Sequence, residues 1–396
     1  MQALSTVRYA PMAAIYLAGV AAALNVGKLP PALPVLTQAF GLTRVDAAFL
    51  VSAFQVAGAC LGMFGGLLAD RFGARRLMVA GLLVLATAGG AGALAGDIAS
   101  LLAWRALESA GFMLCVLPGP VLMRRVIAAR GMSMALGIWG SYMPLGMVIA
   151  LVVSPWLLQL GDWRIVWWCA ALFALAEVAL LCRLVPPDPP GAGPPAGMFA
   201  LARDTLASPG AWALSACFGL YAGQWMVVFS FLPLVYHEAA IPPAQAAVLT
   251  AIGVLVNLAG NIAAGLLVQR GAARGQLIAV ASVAMGAGAF VAFGSDAGFV
   301  VRYAALLVLS SVGGLIPGTL FATAPRFAPH AGAVSTTTGL MQQGSSIGQV
   351  IAPPLVAGAA GLGGGWQSLW WVTCGFAAMN LALSLLVGRL DRRIAG

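Results

Sequence analysis

Charge is what this chain has least of. Only 8% of its 396 residues are Asp, Glu, Lys or Arg; lysine occurs once, at Lys28, and histidine twice. The six cysteines form no C-x-x-C pair and lie in apolar runs, which argues against a disulfide framework or a zinc site and predicts small buried residues. No G-x-x-x-x-G-K-[ST] segment is present, so a phosphate-cradling loop for ATP is excluded and an ion gradient must supply the energy for any uphill work. With no cluster of His, Cys and Asp, an enzyme is not expected, and neither is a cofactor or a metal.

What replaces charge is hydrocarbon. Mean hydropathy is +0.97, and apolar runs of more than 18 residues recur along the whole length. Such runs read as transmembrane helices, whereas a barrel would alternate apolar and polar residues at period 2. Twelve spans are expected: 9–36, 45–69, 76–96, 99–123, 132–158, 164–185, 209–237, 243–268, 275–294, 298–324, 331–359 and 366–389. The first is too long for a signal-peptide core and has a counterpart in the second half of the chain. The protein is therefore read as an all-α, multi-pass protein of the cell (inner or plasma) membrane, in contact with the lipid bilayer.

The few basic residues set its orientation. Fifteen of the twenty fall in inner loops and helix ends if both termini lie inside, while only Arg44 and Arg164 fall in outer loops. This N-in, C-in arrangement accounts for the formal charge of +9 without a nucleic-acid partner. It also puts His237 outside and His330 inside, so the two cannot share a metal.

The chain is duplicated. Leu33 and Pro34 match Leu232 and Pro233, Gly66 matches Gly265, Arg71 matches Arg270, Arg75 matches Arg274, and Pro118 and Gly119 match Pro317 and Gly318, each 199 positions apart (233 − 34 = 199). Trp163, Trp167 and Trp168 match Trp366, Trp370 and Trp371 at a spacing of 203. Two six-helix bundles, 1–185 and 209–396, are expected, joined by a cytoplasmic linker at 186–208. In that linker, 186–200 reads PPDPPGAGPPAGMFA, too rich in Pro and Gly to sustain a helix.

Between the second and third spans, Gly66, Asp70, Arg71, Gly73, Arg75 and Arg76 fill every fixed position of G-x-x-x-D-R-x-G-x-R-R. This resembles the signature loop of the major facilitator superfamily (MFS). Twelve spans in two repeats extend the resemblance over nearly the whole chain. The resemblance implies an alternating-access transporter in which Asp70 pairs with basic residues across the interface between halves, a conformational gate. The second copy is degenerate, with Gln269 in place of the acid, so an asymmetric gate is expected. The fifth span, GIWGSYMPLGM, has Met143 where the family's antiporter pattern has glycine. That string and NVGKLPP are similar to the cyanate and nitroimidazole transporter branch.

Ionisable residues inside spans are costly unless they face a cavity or a partner, so Lys28, Arg105, Glu108, Glu177 and Arg302 are the candidates for function. Lys28 follows Asn25 by three residues on one helix face, and the repeat mate of Asn25 is Gln224 (224 − 25 = 199). The resemblance implies that the first, fourth, seventh and tenth spans line the cavity. Lys28, Asn25, Arg105, Gln224 and Arg302, with Tyr142 and Trp225, are therefore expected to bind the substrate, and three cations against one carboxylate favour a small anion. The alternative is that Arg105 and Arg302 snorkel to the outer headgroups. Glu108, beside Arg105, is expected to carry the coupled proton, and Glu177 to be structural. Gln55, Tyr221, Asn257, Asn261, Gln342, Gln343 and Gln349 are further polar candidates. The expected protein is a monomer that binds a small-molecule substrate and protons. Proton-coupled drug efflux is the rival within transport, and a membrane sensor with a transporter-like fold is the rival from another class.

Overall fold

The computed structural model describes residues 9–42, 44–128, 131–189, 197–238, 240–359 and 369–395. The first span is α1 (Tyr9–Gly27) followed by α2 (Leu29–Phe40), the second α3 (Arg44–Phe72), the third α4 (Ala74–Ala93). The fourth is α5 (Ile98–Val116) with α6 (Gly119–Val126), the fifth α7 (Met132–Gly140) with α8 (Tyr142–Leu160), the sixth α9 (Arg164–Leu184). A short α10 (Met198–Leu206) leads to α11 (Pro209–Glu238), then α12 (Pro243–Leu255) with α13 (Asn257–Gln269), and α14 (Arg274–Gly294). The last three spans are α15 (Phe299–Gly313) with α16 (Leu315–Phe327), α17 (Val334–Ala359) and α18 (Leu369–Ala395). This is the twelve-helix, all-α arrangement expected. Among the described residues ten helical segments are long and apolar enough to cross a membrane, and α3 and α17, at 29 and 26 residues, have the length as well.

Proline sets the breaks within spans. Pro30 and Pro31 cannot donate to Val26 and Gly27 and crowd those carbonyls, so the first span breaks at Lys28. Pro118 and Pro317, repeat mates, lie at the breaks in the fourth and tenth spans. The linker departs from expectation at its end, where α10 begins at Met198, inside the Pro- and Gly-rich string but beyond its last proline. Residues 190–196 lie outside the described part, as do Arg8, Arg130 and Trp366. The cysteines split: Cys115 and Cys217 are buried as expected, Cys374 is partly buried, and Cys60, Cys169 and Cys182 are exposed.

The N-terminal and C-terminal sets of six spans meet in two matched crossings near the inner side, α3 against α17 and α7 against α13. Both depend on glycine. A Cβ at Gly66 would lie 2.3 Å from the Ser335 carbonyl oxygen, and one at its mate Gly265 would lie 2.7 Å from that of Ser133. Gly62 likewise admits the Gly339 carbonyl, at 2.9 Å from where its Cβ would be, so one glycine per turn lets two backbones touch.

Candidate functional site

The break after Gly27 delivers Lys28 into the interior of the first six spans, where it meets α5. Lys28 Nζ donates to Glu108 Oε1 at 2.6 Å and to Asn25 Oδ1 at 2.7 Å. Arg105 Nη1 donates to Glu108 Oε2 at 2.6 Å and to the Asn25 carbonyl at 2.7 Å. The ammonium lies 4.7 Å from the centre of the Trp167 ring of α9, and the guanidinium 4.9 Å from that of Phe54 of α3. Lys28 and Arg105 are 1% exposed and Glu108 is fully buried. Two cations on one carboxylate leave a net charge of +1 that no other ion offsets among the described residues.

The sequence brings these four residues to one place, but that place is not the central cavity. The cavity between the two sets of spans holds about 560 Å³ of empty space including its mouth, and is lined by Tyr142, Phe218, Tyr221, Trp225, Phe321 and Gln342, with Asn257 and Gln349 beside them. It contains no charged lining residue among those described. Tyr142 and Trp225 therefore sit where expected, while Lys28, Asn25, Arg105 and Glu108 form a separate buried cluster. The cleft that Lys28 does border lies between α1, α8 and α9. Gln224, on α11, is buried with its Nε2 unpartnered among the described residues and makes no bond to the cluster. Arg302 does not join either; its Nε donates to the Ala292 carbonyl of α14 at 2.7 Å, a tie near the outer helix ends.

The cavity's polar groups divide into glue and free donors. Asn257 Nδ2 reaches the Tyr221 hydroxyl at 3.0 Å and the Ser310 carbonyl at 2.8 Å, and Asn261 Nδ2 binds Asn257 Oδ1 at 3.0 Å. The Asn257 bonds join α13 to α11 and α15, while that of Asn261 stays within α13. Trp225 lines the cavity, and its indole N–H is buried without a partner among the described residues. Gln343 Oε1 accepts from the Met63 N–H at the α3–α17 crossing instead of facing the cavity.

Asp70 closes the inner side in a way that differs from expectation. Its carboxylate accepts from the Ser335 N–H at 3.1 Å and from the Thr336 N–H and hydroxyl at 2.7 Å each. The partner is the N-terminus of α17, whose unpaired N–H groups and dipole favour an anion, and not a basic side chain. Gln269, the degenerate mate, is exposed. Gly73 has φ +101°, and a Cβ there would meet Asp188, 2.6 Å from its Oδ2. Arg71 and Arg76 side chains are exposed, while Arg75 Nη2 donates to the Cys182 carbonyl at 2.8 Å.

Asp188 is the functional-loop residue that sequence reasoning missed. It caps α4 through the Arg75 and Arg76 N–H groups, at 3.1 and 2.9 Å, and pairs with Arg125. Burial pushes its carboxyl up, but the Arg125 guanidinium and the two backbone donors outweigh that and hold it below the usual carboxylate range. Asp391 repeats the device, pairing with Arg274 and Arg326 at 2.9 Å each. A signal was available, since Asp188 and Asp391 are 203 positions apart (391 − 188 = 203), the spacing of the tryptophan mates.

Asp70→Asn should slow transport 5- to 150-fold with little change in substrate affinity, the range that a conformational coupling of about 1 to 3 kcal/mol commands. The amide keeps one acceptor but turns an N–H toward a helix N-terminus. Transport and binding measured in parallel decide; an unchanged rate, or lost binding alone, counts against the latch.

A profile described as Major Facilitator Superfamily matches residues 15–353, and the chain belongs to that superfamily. It is 27% identical over 372 residues to the 3-(3-hydroxy-phenyl)propionate transporter of Escherichia coli (strain K12), covering 90% of this chain and 88% of that one. It is 32% identical over 147 residues to a probable 4-methylmuconolactone transporter of Cupriavidus pinatubonensis, covering 36% of this chain and 34% of that protein. It is 31% identical over 163 residues to the puromycin resistance protein pur8 of Streptomyces alboniger, covering 40% and 31%. The chain thus spans about a third of the length of these last two relatives. Among solved structures, the proton:xylose symporter XylE superimposes with a TM-score of 0.81 at 15% identity over 96% of this chain and 95% of that one. The human organic anion transporter MFSD10 does so with 0.79 at 17% identity over 95% and 99%. These two likenesses show the fold. The chain thus belongs to a superfamily of multi-pass membrane transporters.

Proposed function

We propose that this protein is a proton-coupled secondary transporter of a small organic acid with an unsaturated or aromatic ring, working by alternating access between its two six-helix halves. The observation that carries the reading is the buried Lys28–Glu108–Arg105 triad. Glu108 balances two cations at once, so protonating it breaks both ion pairs and raises the cluster from +1 to +2. Buried cations without a counterion are costly, so a proton on Glu108 disfavours this arrangement of the helices and ties protonation to the conformational equilibrium, which is the linkage that coupling needs. The ring follows from the aromatic walls of the central cavity, and the acid group from the free Trp225 N–H. Two relatives whose names include a propionate and a muconolactone transporter support this class. The protein acts as a monomer in this reading.

The absence of charge from the described cavity lining favours a second reading, proton-coupled efflux of uncharged ring compounds. Proteoliposomes with an imposed pH gradient separate the two. The first predicts accumulation of 3-(3-hydroxyphenyl)propionate driven by protons moving the same way; the second predicts counter-movement and no accumulation. Glu108→Gln should abolish gradient-driven accumulation while exchange across the membrane without a gradient survives. Full accumulation by this variant would remove Glu108 from the coupling.

A further inference from the structure

Glu177 takes no part in the triad, the cavity or the latch, yet it is a carboxyl buried in a membrane span. It lies on α9, 4% exposed, and its Oε2 is buried with no hydrogen-bond partner among the described residues. Arg183, six residues on and exposed, does not pair with it. The helices packed against α9 offer no counterion either. On α1, Tyr16 is hydrogen-bonded to Ser141 and Lys28 is committed to Glu108. On α4, Arg75 and Arg76 lie at the inner end, and on α8 the titratable group is Tyr142. From α5 come Arg105 and Glu108, bonded to each other, and Cys115, whose thiol donates to the Ala18 carbonyl at 3.3 Å. An ionised carboxylate with none of these as partner is strongly disfavoured there.

Its position relates it to the triad. Trp167, Ala170, Ala171, Ala174 and Glu177 are the buried face of α9, and Trp167 at one end of that face covers the Lys28 ammonium. Gly89 of α4 fits between Ala171 and the Glu108 carboxylate; a Cβ on it would stand 3.3 Å from the one and 3.6 Å from the other. Glu177 is ten residues beyond Trp167, about 15 Å further toward the inner side at 1.5 Å per residue. Two carboxyls in one half therefore have opposite surroundings, Glu108 paired with two cations and Glu177 with none.

We propose that Glu177 is a second proton-binding site, occupied by a proton while the inner side is closed and lying on the inner side of the triad. The site stands whether or not Glu108 carries the coupled proton.

The chain has only eleven Asp and Glu side chains, so infrared spectroscopy of the purified protein in lipid can resolve a protonated carboxyl by its C=O stretch. The expected result is a protonated-carboxyl band at neutral pH that is lost in Glu177→Gln and in Glu177→Met and kept in Glu108→Gln. Both neutral variants should stay folded and monodisperse, because nothing pairs with the carboxyl they replace. A band that survives in both variants, no band in the parent, or loss of folded protein in both would overturn the site. Retention of the band in Glu108→Gln alongside unimpaired accumulation would refute the coupling role of Glu108 and leave Glu177 standing.

Discussion

Lys28→Ala should abolish gradient-driven transport, by at least a hundredfold, and yet leave a folded protein that still binds ligand in the central cavity. Removing the ammonium leaves Arg105 and Glu108 as a neutral pair at 2.6 Å, so no buried charge is orphaned. Glu108→Gln is the contrasting case, because it strands Lys28 and Arg105 together without their counterion. Breaking a buried pair in that sense costs about 3 to 5 kcal/mol. Thermal unfolding should therefore rank Lys28→Ala above Glu108→Gln, and Lys28→Met added to Glu108→Gln should recover part of the loss. Lys28→Arg should restore little transport, since a planar fork cannot reproduce a point charge set among Asn25, Glu108 and the Trp167 face. If the stability order is reversed, or if Lys28→Ala transports like the parent, the charge balance of the triad does not govern the cycle.

Gly66→Ala should leave the inner side open. The new methyl would stand 2.3 Å from the Ser335 carbonyl oxygen and 2.8 Å from the Thr336 Cα, both backbone atoms that cannot rotate away. Helices α3 and α17 must separate, and with them go the Asp70 hydrogen bonds one turn further on. Overpacking of this kind costs about 1 to 3 kcal/mol, and the lost latch adds to it, enough to shift the closed population by about a hundredfold. Gly65→Ala is the control, since its methyl presses only on the Leu117 Cδ1, the mobile end of a side chain, at 2.8 Å, with the Met113 Cβ at an ordinary 3.9 Å. Spin labels on the inner ends of α3 and α17 should report a longer distance in Gly66→Ala and no change in Gly65→Ala. Equal distances in both would remove the close approach as a determinant of closure.

The architecture was legible in the sequence because the membrane makes hydrophobic length a direct readout of helices and the duplication fixes their order. The 199-residue register paired Gly66 with Gly265 and Pro118 with Pro317, and both pairs occupy matching places, the crossings and the helix breaks. Spacing within one helix also served well, bringing Asn25 to Lys28 and Arg105 to Glu108. What spacing does not carry is contact between spans. Nothing in the sequence says that Lys28 crosses to Glu108, or that Trp167 and Phe54 close over the two cations, so the charges were expected at the central cavity. The partner of Asp70 was hidden for another reason: the N-terminus of α17 acts as a positive end without any charged side chain to mark it. Asp188 was passed over because a lone acid among prolines reads as a solvated linker.

One consequence concerns the stretch of chain that joins the halves. Leu201 of α10 is fully buried against Leu67 of α3 and Ala333, just before α17, with Met198 and Ala202 beside it. The connection is thus threaded through the inner seam as a wedge of hydrocarbon. When the inner side parts, Leu201 must leave one of its two neighbours, and burying a leucine is worth about 1.5 to 3 kcal/mol. In the alternating-access reading this contact adds to the preference for a closed inner side, from residues that lie outside the ligand cavity, the triad and the glycine crossings.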